Sequence, residues 1–185
     1  MKISRRQFLN QSILGTTAGG LMLSQLSHQA AVKPQAFASI EGVHLAIATI
    51  CTDGFGNHHH EPAFRLIPDT GFQNVEFNLW YPDLLTPTYI RSIRDRCYRA
   101  GLTPVSLQAT SFGGEGRAGV IKDVSHKLVV LDGIEQLGGR IAKFTGSRRG
   151  TNGGLQHVIE VCKEIAPVAE EKGILVVLEN HANNV

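Results

Sequence analysis

The sequence has 185 residues, of which 42% are hydrophobic and 18% are charged, with 20 glycines and 7 prolines. This composition excludes an intrinsically disordered chain, a collagen-like chain and a chain made mainly of membrane spans. The formal charge is only +2, so bulk charge gives no support to a nucleic-acid partner.

The first 38 residues have the features of an export signal. Arg5 and Arg6 precede a weakly apolar, glycine-containing run over 12–26, and a small-x-small cleavage pattern follows at 36–38. The pattern resembles a twin-arginine signal, which implies folding in the cytoplasm, export by the twin-arginine machinery and a periplasmic location. The apolar run is shorter than the roughly 20 residues that span a bilayer. We therefore expect no stable membrane anchor, with an uncleaved amino-terminal anchor as the alternative.

The predicted mature chain, residues 39–185, is slightly acidic and contains three cysteines. The leader holds four basic residues and no acidic one, so 14 of the 18 basic residues remain against 16 acidic residues. Cys51, Cys97 and Cys162 form no Cys-x-x-Cys pair. They therefore predict neither a disulfide framework nor a zinc knuckle, and we expect all three to pack as small apolar residues.

Short β-prone runs alternate with helical patterns along the mature chain. The predicted strands are Val43–Ile50, Gly71–Leu79, Leu102–Ala109, Arg140–Gly146 and Ile174–His181. The predicted helices are Pro87–Ala100, Val120–Leu137 and Leu155–Lys172, each ending before a glycine. Successive strands start 28 to 38 residues apart. This spacing is typical of βα units and predicts parallel strands.

Polar residues gather on one face of these strands, toward their C-terminal ends. Glu76 and Asn78 share a face of the second strand, and Lys143 lies on the polar face of the fourth. Glu179 and His181 share a face of the fifth strand. A doubly wound sheet buries both faces under helices, whereas the interior of a barrel opens at its C-terminal mouth into a polar site. The pattern therefore favours an α/β fold of the (β/α)8 TIM barrel type.

The number of strands is smaller than a complete barrel requires. Such a barrel needs about 200 residues or more, and residues 39–185 contain five predicted strands. We therefore interpret residues 39–185 as the N-terminal portion of a barrel, with its first four to five βα units, and the chain as C-terminally truncated. A compact five-stranded domain that is complete as it stands is the alternative.

Several short motifs, in this order, resemble those of the xylose isomerase-like TIM barrel superfamily. They are GFQNVEF at 71–77, GLTPV at 101–105, LGGR at 137–140 and VVLENH at 176–181. Within that superfamily, the sugar phosphate isomerase/epimerase family is the most similar, and the resemblance covers Val43 to His181. It implies a metal-dependent sugar isomerase or epimerase that acts on an unphosphorylated sugar, an inosose or a related keto compound.

The resemblance also implies one divalent metal ion, which could be Mn, Mg, Co or Zn. Family members hold this ion with a Glu at the end of a middle strand and with an Asp, a His and a second Glu from later strands. Glu179 matches the first ligand, and the other three have no counterpart here. Carboxylates at such a metal move a proton next to a carbonyl, so Glu179 is expected to be a ligand and a possible acid/base. With only one carboxylate of the pair, the chain alone is expected to be inactive.

Three other residues are candidates for the substrate-binding site. His181 could contact the substrate or the metal, or orient Glu179. Glu76 is either a second polar group at the mouth or a structural anchor that is hydrogen-bonded inside the barrel. Lys143 could neutralise a carboxylate such as Glu76 or bind an anionic substrate.

Two loops carry weaker signals. Three consecutive imidazoles at 58–60 cannot all face one ion, so 53–61 is interpreted as the loop after the first strand, which could form part of a substrate lid, rather than as a metal site. The sequence SRRGTNGG at 147–154 offers two arginines and glycine-rich backbone that would suit a phosphate or a carboxylate. A solvated loop is the alternative there.

Two other functions are compatible with the same fold. A DNA repair enzyme similar to endonuclease IV would need histidines at the ends of the second and third strands, where this chain has Asn78 and either Gln108 or Thr110. A non-catalytic periplasmic sugar-binding barrel would lack the metal ligands altogether. An Asp, a His and a Glu at the ends of later strands would favour the enzyme.

Overall fold

The computed structural model describes residues 43–55, 58–80, 82–114, 116–147 and 154–181. The predicted leader with Arg5 and Arg6 lies outside the described residues, so export by the twin-arginine route and a periplasmic location stay predictions. Most of the 147–154 loop also lies outside them. None of the described helices is long and apolar enough to cross a bilayer.

Five parallel strands form one sheet, in which each strand pairs with the next in the sequence. The strands are β1 (Ala46–Ala48), β2 (Asn74–Leu79), β3 (Thr103–Ala109), β4 (Ile141–Thr145) and β5 (Leu175–Glu179). The helices are α1 (Ile50–Asp53), α2 (Glu61–Leu66), α3 (Pro87–Ala100), α4 (Gly116–Leu137) and α5 (Gly154–Glu171), with 3-10 turns at Pro68–Thr70 and Pro82–Leu84. This alternation confirms the predicted α/β fold, a partial TIM-barrel-like arrangement.

The caps of α3 show why the sequence forms a helix there. The Thr86 side chain accepts a hydrogen bond from the Tyr89 amide, and Pro87 occupies the first helical turn. Gly101 ends the helix in the left-handed region at φ 67°, which glycine adopts at little cost. The buried residues Ile90 and Cys97 lie seven positions apart and share the stripe that faces the sheet.

The apolar core lies between the sheet and the longer helices. One face of the strands contributes fully buried side chains such as Phe77, Leu107 and Phe144. Ile134 on α4 and Ile165 on α5 are buried against the same core. Burial of each such side chain stabilises the fold by about 1.5–3 kcal/mol. The opposite face of the strands is left for polar groups.

The segment after β1 differs most from the sequence prediction. The first strand is only three residues long, and the short helices α1 and α2 flank the predicted 53–61 loop, which they overlap only at Asp53 and Glu61. The Asp53 carboxylate accepts a hydrogen bond from the Ala63 amide at 3.1 Å, which connects the two helices. The packing prediction is wrong for Cys51, because α1 has no buried residue and this thiol is exposed. Cys97 is buried and Cys162 packs partly buried against the core.

His60 turns into the core rather than toward its neighbouring imidazoles. Its side chain is 1% exposed, and its ring meets the ring of Phe77 edge to face, with centroids 5.2 Å apart. Within the part of the chain that the structure describes, neither ring nitrogen has a hydrogen-bond partner. Burial, assisted by the charge of Arg96, lowers the pKa of His60 from 6.5 to about 4.

The lowered pKa of His60 predicts a loss of stability in mild acid. Below pH 6.5 the unfolded chain binds a proton at His60 that the folded chain does not bind until about pH 4, so stability falls as the pH falls through this window. We expect this residue to account for about 2 kcal/mol of the loss in unfolding free energy between pH 8 and pH 5. Urea unfolding at both pH values measures it. His60→Leu should flatten the dependence by that amount, and equal slopes for the two proteins would contradict the prediction.

Candidate functional site

The polar face of the sheet forms a site at the C-terminal ends of the strands. Neighbouring residues in the parallel register share a face, and the register pairs Glu76 with Ser106, Asn78 with Gln108, Gln108 with Lys143, and Thr145 with Glu179. The parity predicted from the sequence therefore places Glu76, Lys143 and Glu179 on one face. C-terminal strand ends are where barrel folds carry their chemistry.

Lys143 and Glu76 form an ion pair inside this face. The Lys143 Nζ lies 2.8 Å from Glu76 Oε1, and the two side chains are only 22% and 15% exposed. The Ser106 hydroxyl donates a hydrogen bond to the other carboxylate oxygen, Oε2, at 2.8 Å. A carboxylate at this depth needs such partners to offset its lost hydration. This is the geometry of the structural anchor considered for Glu76, and Lys143 neutralises it.

Glu179 lies at the end of β5 and is surrounded by donors. The Gln108 side-chain amide donates to Glu179 Oε2, and His181 Nε2 lies 3.2 Å from the same oxygen. Lys143 Nζ lies 3.8 Å from Oε1. The carboxylate is one-third exposed, so it is held in position while one side stays open to solvent. The structure thus brings together four of the predicted site residues: Glu76, Lys143, Glu179 and His181.

Gln108 is held by a chain of side-chain amides that the sequence analysis did not identify. The Asn78 amide donates to Gln108 Oε1 at 2.5 Å, and its own oxygen accepts from the Ile50 amide at 2.9 Å. The Thr49 hydroxyl also accepts from the Asn78 backbone at 2.9 Å. Since the oxygen of Gln108 is occupied by a donor, its NH2 group is directed at Glu179. The shared parity of Asn78 and Gln108 was the available sequence signal.

The donor set at the mouth fits part of a divalent metal site. Glu179 supplies a carboxylate oxygen and His181 an imidazole nitrogen, and these two atoms are 3.2 Å apart. Two ligand atoms that each lie about 2.1 Å from one ion are separated by roughly 3 Å, so the pair could share an ion. The described residues contain no group of three or more His, Cys, Asp or Glu side chains that could complete the site. The three imidazoles at 58–60, which the structure describes, likewise do not form a group that could hold a metal ion.

A protein-family model matches most of the chain. Residues 64–185 match the model described as xylose isomerase-like TIM barrel. Among curated proteins, no sequence matches the chain.

Solved structures share this fold at low sequence identity. The IOLI protein with a bound zinc atom has a TM-score of 0.60 and 15% identity, over 75% of this chain and 51% of that protein. D-allulose 3-epimerase from Methylomonas sp. has a TM-score of 0.59 and 17% identity, over 74% of this chain and 51% of that one. D-psicose 3-epimerase from Clostridium cellulolyticum H10, solved with D-tagatose, has a TM-score of 0.57 and 11% identity, over 72% and 50%. The chain thus spans about half the length of these three proteins.

Proposed function

This chain belongs to the xylose isomerase-like TIM barrel family, and on that premise we propose that its site serves a metal-dependent sugar isomerase or epimerase. The observation that carries the proposal is the Glu179 carboxylate at the open end of β5. Gln108 holds this carboxylate, and His181 lies 3.2 Å from it. The substrate class is a small sugar or keto-sugar, in line with the names of the epimerases that share the fold.

Glu179 and His181 are the residues that would hold the divalent ion. The zinc atom bound to the IOLI protein supports a metal in this fold. When bound, a divalent ion supplies polarisation of the substrate's carbonyl and hydroxyl oxygens.

The two oxygens of Glu179 have different surroundings, which assigns them different roles. Gln108 and His181 both approach Oε2, whereas the Lys143 Nζ lies 3.8 Å from Oε1, beyond hydrogen-bond distance. Oε1 is therefore the oxygen that takes a proton from the carbon next to the carbonyl. Glu76 is excluded as the second acid/base, because its carboxylate is already paired with Lys143 and Ser106.

The endonuclease IV-like alternative is not supported by the site. It requires histidines at the ends of β2 and β3, where the amides of Asn78 and Gln108 are hydrogen-bonded to each other. The non-catalytic sugar-binding alternative has no specific observation in its favour.

Isotope exchange tests the proposed reaction. The protein is expressed from its complete coding sequence and incubated in D2O with Mn²⁺, Mg²⁺, Co²⁺ or Zn²⁺. The candidate substrates are D-allulose, D-tagatose and an inosose. Proton NMR then follows the signal of the hydrogen on the carbon next to the substrate's carbonyl. Deuterium that enters with retained configuration indicates proton transfer by Glu179 alone, while deuterium with an epimer indicates a second carboxylate. No incorporation in any combination would contradict the proposed function.

A further inference from the structure

Three charged or ionisable side chains are buried together behind the site. Asp123 and Lys127 on α4 and His157 on α5 are 3%, 0% and 4% exposed. Asp123 Oδ2 lies 2.7 Å from His157 Nε2, and Oδ1 lies 3.7 Å from Lys127 Nζ. We call these three residues the buried triad. Apolar side chains of similar size are often as stabilising as a buried ion pair, so the buried triad calls for a reason other than stability.

The contacts of the buried triad with the backbone supply that reason. Lys127 Nζ donates to the Ser111 carbonyl at 2.8 Å and to the Thr110 hydroxyl at 3.4 Å. The Gly113 amide donates to Asp123 Oδ2 at 2.7 Å. Thus residues of the loop that follows β3, which we call the 110–114 loop, find their polar partners in the buried triad. Ser111 is exposed and Gly113 half-buried, so these hydrogen bonds are only partly shielded from water, and they tie the loop to side chains that are themselves fully buried.

Two further contacts fix the same loop. The Phe112 amide donates to the Thr145 carbonyl at 3.2 Å, and the Phe112 ring lies 4.5 Å from the Lys127 ammonium. At the end of the loop, Gly114 packs so closely on α4 that a Cβ added to Gly119 would lie 2.5 Å from the Gly114 carbonyl carbon. Only glycine at both positions allows this approach.

The position of the loop connects it to the site. It begins one residue after β3, whose last inward-facing side chain is Gln108, the donor to Glu179. It also bonds to Thr145, which is the register partner of Glu179. Loops at the C-terminal ends of the strands form the walls of barrel sites.

We propose that Asp123, Lys127 and His157 are positioning residues that fix the 110–114 loop as one wall of the keto-sugar site. The inference rests on the proposed function for the identity of the ligand. His157 holds the Asp123 carboxylate from the side of α5, and Asp123 in turn holds Gly113 and balances the charge of Lys127. An apolar replacement would fill the volume and leave the carbonyl and amide of the loop without partners.

Amide hydrogen exchange of the protein without ligand tests the first half of the inference. In Lys127→Met and His157→Leu, we expect the amides of Phe112 and Gly113 to exchange at least about tenfold faster, with little change in β2. His157→Gln should restore slow exchange, because its side-chain amide can still donate to Asp123. Lys172→Met is the matched control, since it also removes a lysine that pairs with acids of α4, here Asp132 and Glu135, away from the 110–114 loop.

Three outcomes would overturn the inference. Unchanged exchange at Phe112 and Gly113 would show that the buried triad does not hold the loop, and uniform acceleration over the whole chain would show a general structural role. If amide exchange in the 110–114 loop accelerates while the KM for the ketose stays that of the parent protein, the loop is not a wall of the site.

Absence of deuterium incorporation into substrate by the parent protein bears on the proposed function alone, because the amide measurement needs no substrate. If Lys127→Met does not fold, the two His157 variants give the same comparison.

Discussion

Glu179→Gln is expected to bind divalent metal ions at least about tenfold more weakly and to slow deuterium exchange by about 100-fold or more. The amide keeps the shape and the hydrogen bond from Gln108, whose donor can be received by the amide oxygen. It loses the negative charge that a hard cation prefers and cannot accept a proton from carbon. Metal analysis of the purified variants and the NMR exchange assay measure the two effects separately.

Two controls sharpen this result. Glu160→Gln removes the same charge from the exposed side of α5, where the carboxylate contacts only Gln156 among the hydrogen bonds of the described residues. His58→Ala tests whether the imidazoles at 58–60 contribute to metal binding. Neither control variant should change the metal content of the protein. Full metal occupancy and activity in Glu179→Gln would remove the ligand on which the proposed function rests. His181→Ala removes the other proposed metal ligand, so it should weaken metal binding as well as substrate binding.

Lys143→Met is expected to lower the free energy of unfolding by about 2 kcal/mol. The substitution keeps most of the side-chain volume and leaves Glu76 without its counter-charge, with the Ser106 hydroxyl as its remaining partner among the described residues. Full burial would predict about 3–5 kcal/mol, and the partial exposure of both side chains reduces that figure. Urea unfolding at pH 7 measures the loss.

A second substitution separates loss of the pair from loss of packing. Glu76→Gln in the Lys143→Met background removes the uncompensated charge, so it should restore more than half of the lost stability. A double variant no more stable than Lys143→Met would mean that the methionine itself disturbs the interior. A single variant that costs less than about 0.5 kcal/mol would mean that solvent already screens the pair.

The sequence allowed the sheet and the polar face to be predicted because both depend on alternation along single strands. Glu76, Lys143 and Glu179 each stand at an inward position within a short β-prone run, and parallel register then brings them together. The Lys143 and Glu76 pair follows from the same reasoning, since an inward lysine needs an inward acid. These inferences require no knowledge of where the helices pack.

The buried triad could not be predicted in this way. Asp123 and His157 are 34 positions apart on two helices, and isolated charged residues on a helix are usually solvated. Their burial depends on how α4 and α5 pack against each other, which the period of each helix does not specify. The helix α1 was not predicted either. Its four residues directly follow a short strand and are too few to show a helical period.

The sequential order of the sheet has a consequence for how the chain folds during synthesis. Each strand pairs with the one made immediately before it, so every new βα unit meets an edge that is already present. The length of chain that must close into a loop is similar at each step, which keeps the entropic cost of each pairing nearly constant. Structure can therefore spread from the N-terminal units in the direction of translation. At each stage the newest strand and β1 are the two edges of the sheet, and both are templates that another nascent chain could pair with.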